Sequence, residues 1–125
     1  MATTSRFSGL AGDDNTSRVL TNAYLTPIYA ASIAIIPTQA HTVVKPGALT
    51  GALSLTIGVG TSSTNPYVGD TIRFLFAASG ADRIVTFSTG FKSAGTLTVV
   101  SAKWGSASFM FDGVNWVETG RALTA

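Results

Sequence analysis

Few side chains in this sequence are equipped for chemistry. His41 is the only histidine and cysteine is absent, so a metal site would need carboxylates gathered around one imidazole. The acids are Asp13, Asp14, Asp70, Asp82, Asp112 and Glu118, and they are scattered along the chain. His41, in a short strand beside a turn, reads as a surface residue. Asp13-Asp14-Asn15 carries atoms suited to calcium, yet two carboxylates in an extended segment read as solvated. No metal and no cofactor is expected.

The organic reactions fare no better. A pair of carboxylates for glycoside hydrolysis would come from Asp70, Asp82, Asp112 and Glu118. The three aspartates sit at expected turns, where aspartate serves the backbone. Serines are plentiful, but no GxSxG elbow presents one as a nucleophile. Gly90-Phe-Lys-Ser-Ala-Gly95 has the glycine spacing of a phosphate loop, with Thr96 where the lysine belongs. It also joins two strands instead of opening a helix. Gly58-Val-Gly60 starts a dinucleotide fingerprint that fails at Ser63. Asn15-Thr16-Ser17 fits the glycosylation pattern, which is meaningful only after secretion. Met1 to Gly12 contains no apolar core of a signal peptide. A non-enzymatic protein is the expectation.

Composition explains what the chain does instead. Only 11% of its 125 residues are charged, against about 25% in ordinary globular proteins. Mean hydropathy is positive at +0.36. A small free domain needs more charge than this to solvate its surface, so either a membrane or an assembly is implied. The uncharged window 46–69 is broken by glycines and by Pro46 and Pro66, and it alternates instead of running apolar. Ile28 to Ile36 is too short to span a bilayer and is bracketed by Pro27 and Pro37. A net charge of +2 without a basic run gives no footprint for nucleic acid. Assembly is the reading that remains, with neither membrane nor nucleic acid as partner. The absence of cysteine fits synthesis in a reducing cytoplasm.

The elements that carry these residues read as strands. Val19 to Leu25 is a short strand stopped at Pro27. Ile28 to Ile36 is apolar on both faces, as in a strand buried between layers. His41 to Val44 is brief. Leu49, Gly51, Leu53, Leu55, Ile57 and Val59 alternate with small polar residues, and Gly60 to Pro66 is a loop. In Tyr67 to Ala77, Ile72, Phe74 and Phe76 point inward and Arg73 outward. Gly80 to Asp82 turns the chain, Arg83 to Phe87 returns it, Gly90 to Gly95 is a loop, and Leu97 to Trp104 follows. Eight or nine short strands at intervals of about 8–12 residues, with no helix, predict an all-β antiparallel sandwich. Jelly-roll order is the most economical arrangement.

The stretch from Gly105 to Arg121 closes the domain as a hairpin. Asp112-Gly113 supplies the turn, and either a two- or a four-residue loop sets Phe111 opposite Trp116 and Met110 opposite Val117. Phe109, Phe111 and Trp116 then share one face and join Phe74 and Phe76 in the core. Ala122 to Ala125 reads as a tail.

Residues 1–18 have a different character. Phe7 and Leu10 are their only large apolar side chains apart from Met1. They predict an extended arm that orders only on a partner. Phe7 and Leu10 would serve as anchors there, and Arg6 and Arg18 would pair with carboxylates. The sandwich domain occupies 19–125.

Four segments form a recognisable set: Gly69-Asp-Thr-Ile-Arg-Phe74, Ala81-Asp-Arg-Ile-Val-Thr-Phe87, Thr89-Gly-Phe-Lys-Ser-Ala-Gly-Thr-Leu97 and Phe111-Asp-Gly-Val-Asn-Trp-Val-Glu118. Together they resemble the β-rich structural proteins of tailed bacteriophages, in particular small capsid decoration (cement) proteins and related fibre domains. The resemblance covers about the last 55 residues. It implies a jelly-roll homotrimer that binds the major capsid protein on the outer surface of the virion and stabilises the head. The other reading it allows is a fibre or receptor-binding domain, with Tyr24, Tyr67 or Trp104 stacking on host glycans.

Overall fold

A computed structural model of the chain describes residues 22–58 and 66–124. The arm, with Arg6, Phe7, Leu10 and Arg18, lies outside the described residues, as do Asp13 to Ser17 and most of the loop after Gly58. The described residues contain ten strands and no helix. They are β1 (Asn22–Leu25), β2 (Ser32–Ile35), β3 (His41–Val44), β4 (Leu53–Ile57), β5 (Thr71–Ala77), β6 (Arg83–Phe87), β7 (Phe91–Lys92), β8 (Leu97–Val99), β9 (Trp104–Phe111) and β10 (Trp116–Leu123).

The strands form two packed sheets, ordered β1-β3-β5-β9-β10-β7 and β2-β4-β6-β8. The protein is thus an all-β sandwich. Its pairing is mixed, however, and corrects the expectation of antiparallel strands in jelly-roll order. From β1 to β6 the chain changes sheet at every step. Strands two apart in sequence therefore lie side by side and run the same way, β1 beside β3 beside β5 and β2 beside β4 beside β6. The connections stack as well: Lys45 N donates to Leu25 O (2.8 Å), Gly47 N to Pro27 O (2.9 Å) and Leu49 N to Ala77 O (2.8 Å). The first half of the domain is three turns of a flattened coil. Antiparallel pairing enters only with β8, β9 and β10.

Parallel stacking converts the period-2 alternation into ladders of like residues. On the inner side of the six-stranded sheet Leu25, Val44, Phe74 and Ala107 occupy one row. Leu53, Val85 and Leu97 do so in the other sheet. Phenylalanines join the two layers: Phe87 from β6 and Phe109 from β9 have ring centroids 4.8 Å apart, and Phe91 lies 4.9 Å from Phe109. Phe74 and Phe76 stack at 5.6 Å. Phe74, Phe76, Phe109 and Trp116 are fully enclosed, and Phe111 packs on the core from its margin.

Several boundaries differ from expectation. Only Ser32–Ile35 of the 28–36 stretch is strand, and Ile28 is 90% exposed in the crossing from β1 to β2. The run is apolar on both sides, but within the strand only Ile33 and Ile35 reach the core, with Tyr29 packing on it from the crossing. Phe91–Lys92, read as loop, forms a short edge strand beside β10. Ala122 and Leu123 belong to β10 instead of to a tail. The last hairpin has the expected register, Phe111 against Trp116 and Met110 against Val117.

Candidate functional site

Each described carboxylate is already engaged by the fold. Asp70 is fully buried and accepts Tyr67 N–H at 2.9 Å. Asp82 accepts Ser101 N–H at 2.9 Å, tying the β5–β6 turn to the segment before β9. Asp112 accepts from Val114 and Asn115 N–H at 2.8 and 2.7 Å. These two bonds, Asn115 first, hold its carboxyl below the usual range. Such bonds favour the charged form because they satisfy the anion's lone pairs. These acids shape turns, each bonded to backbone N–H groups of its own turn or, for Asp82, of the segment before β9. No group of three or more His, Asp or Glu side chains able to hold a metal occurs among the described residues.

The densest polar cluster was not anticipated from sequence. Arg121 Nε donates to Glu118 Oε2 at 2.6 Å, and its Nη2 donates to Glu118 Oε1 at 2.8 Å. The same guanidinium reaches Thr96 O and Gly95 O, both at 2.9 Å. Glu118 Oε1 also accepts Ala94 N–H at 2.8 Å. The pair clamps the 93–96 connection between β7 and β8 onto β10. Arg121 lowers the Glu118 carboxyl and Glu118 raises the Arg121 guanidinium. An open cleft of about 470 Å³ lies over this cluster, but the charged atoms of Glu118 and Arg121 are spent on one another and on backbone. The clamp is structural.

The outer faces of the two sheets are the remaining surfaces. On the four-stranded sheet the outward strand positions are Ser32, Ala34, Ser54, Thr56, Ile84, Thr86 and Thr98, and none is charged. Ser32, Ser54 and Thr86 stand in one row across three strands.

The outer face of the six-stranded sheet differs. Tyr24, Val43, Leu75, Trp104, Met110 and Val117 are exposed on it. Its charged side chains are Arg73 and Lys92, and Lys45 Nζ sits 5.4 Å from the centre of the Trp104 ring. No carboxylate occupies an outward strand position of this described sheet. His41 is on this face, with Nδ1 2.8 Å from Thr71 Oγ1. Of the aromatics expected to meet glycans, Tyr24 is 64% exposed, Trp104 is partly covered by Lys45, and Tyr67 is half-buried.

No family model and no curated protein matches this chain. No helix among the described residues is long and apolar enough to cross a membrane.

Proposed function

We propose that this chain is a non-enzymatic virion structural protein. It decorates a phage capsid, binding across neighbouring capsid subunits as a homotrimer on the outer surface of the head. The observation that carries this reading is the charge-free outer face of the four-stranded sheet. A surface of serine, threonine, alanine and isoleucine can be buried against another subunit without desolvating an ion. The low overall charge of the sequence supports the same conclusion, and so does the resemblance of its second half to decoration proteins. The arm, with Arg6, Phe7, Leu10 and Arg18, supplies the attachment to the major capsid protein. Many copies acting together make a modest contact sufficient.

Light scattering on the full chain tests the assembly, and a trimer is expected from micromolar concentration upward. Thr86→Arg places a cation in the middle of the uncharged face and should dissociate it without loss of β structure. Co-sedimentation with heads lacking the protein tests attachment. Phe7→Ala combined with Leu10→Ala should abolish binding while leaving the oligomer intact. A monomeric wild type that ignores heads overturns the reading.

A second reading, a fibre or receptor-binding domain for a host surface glycan, is favoured by one observation. Tyr24 stands exposed on a sheet face that offers cations and no carboxylate.

A further inference from the structure

The outer face of the six-stranded sheet contains a groove of about 330 Å³ between Asn22, His41, Val43, Thr71 and Arg73. Its geometry follows from register. Asn22, His41 and Thr71 are aligned across β1, β3 and β5, and Tyr24, Val43 and Arg73 form the adjoining row. Rows on one face of a sheet lie about 7 Å apart and neighbouring strands about 4.8 Å apart. The floor is therefore about the size of one sugar ring, and Tyr24 and Arg73 flank Val43 in the same row.

Several polar atoms here have no partner among the described residues. The Asn22 amide and the Arg73 guanidinium hydrogen-bond to no described residue. His41 spends only Nδ1, on Thr71, which leaves Nε2 for a ligand. The described carboxylates are elsewhere: Asp70 is buried, Asp82 and Asp112 serve turns, and Glu118 is bound to Arg121.

We infer that this groove binds an acidic sugar unit, a uronate or a sialate, within a surface polysaccharide. Arg73 is the one cation among the groove's described lining residues and is paired with no described carboxylate, and its planar fork matches a carboxylate. Asn22, His41 Nε2 and Thr71 offer the mixed donors and acceptors that ring hydroxyls require. Tyr24 and Val43 supply an apolar bed for the C–H face of the ring. A second copy of the chain is a poor occupant, because face-to-face contact would bring Arg73 and Lys92 against their like. The inference rests on the second reading above and is independent of capsid attachment.

The test is binding of the full chain, by calorimetry and by chemical-shift perturbation, to polygalacturonate, polysialate, neutral dextran and poly-glutamate. Both acidic polysaccharides, or one of them, should bind at least about tenfold more tightly than dextran or poly-glutamate. Arg73→Ala and Tyr24→Ala should each weaken that binding about tenfold or more, with circular dichroism unchanged. Arg73→Lys should restore part of it, and Lys103→Ala should have no effect. Dextran binding equal to the acidic polymers overturns the acidic specificity and leaves the glycan reading standing. Poly-glutamate binding equally well overturns the inference in favour of an acidic protein surface. No binding to any polymer, or full binding by Arg73→Ala, sinks the groove as a site.

Discussion

Glu118 and Arg121 are three residues apart in one strand, yet their side chains meet at 2.6 Å. In a regular strand that spacing would send them to opposite faces. The pairing of β10 with β9 slips between Glu118 and Gly120, leaving Thr119 as an extra residue, and this bulge returns Arg121 to the inner side. Thr119 Oγ1 donates to Ser108 O at 3.2 Å, which gives the extra residue a partner of its own.

Removing the guanidinium leaves Glu118 and the carbonyls of Gly95 and Thr96 without their charged donor. Arg121→Ala should therefore cost about 1–3 kcal/mol in urea unfolding and raise hydrogen exchange in the 93–96 connection. The pH dependence has a definite sign. The folded Glu118 carboxyl lies below its ordinary value of 4.5. Its contribution is complete above that value and is lost as pH falls through the lower, folded one. The stability gap between Arg121→Ala and wild type should thus narrow in that acid window, where Glu118 becomes protonated, leaving the share due to the Gly95 and Thr96 carbonyls. A constant gap down to pH 2 would assign the clamp to packing instead of charge.

Trp116 stands opposite Phe111 in the last hairpin with ring centroids 5.1 Å apart, and it pairs with Phe91 on its other side. It is 1% exposed. Trp116→Ala should cost about 3–5 kcal/mol, the range for large aromatic truncations in cores. A melting temperature within a degree or two of wild type is the outcome that contradicts this packing.

Thr42 is 1% exposed in the inner row between Ala23 and Ile72, and its Oγ1 finds no hydrogen-bond partner among the described residues. Valine has nearly the same shape and leaves no hydroxyl to desolvate. Thr42→Val should stabilise the fold by about 1–2 kcal/mol, read as a higher urea midpoint at unchanged slope. Loss of stability would reveal a partner for the hydroxyl.

Gly90 adopts φ +94, and a Cβ there would come within 2.7 Å of Ile57 Cβ. Strain and collision act together, since neither Ile57 Cβ nor the β4 backbone behind it is free to swing away. Gly90→Ala should destabilise by about 1–3 kcal/mol or more, whereas Gly120→Ala, with open space around it, should cost far less. Equal melting curves for the two variants would refute the close approach.

The sequence by itself determined which side of the clearly alternating strands, β4, β5 and the start of the last hairpin, is buried. Alternation at Ile72, Phe74 and Phe76, and the turn at Asp112-Gly113, depend on neighbours a few residues away. The all-β class, the inward aromatics and the register of the last hairpin were therefore legible. Which strands lie side by side was not. Alternation records burial but carries no label for a partner strand, and the chain could equally turn back within a sheet or cross to the other. Tertiary packing decided for crossing, and with it the parallel rows that bring Asn22, His41 and Thr71 together from three separate segments. The clamp was hidden for a related reason. Glu118 and Arg121 meet only because one inserted residue reverses the phase of the strand, and that slip exists only in the pairing of β10 with β9.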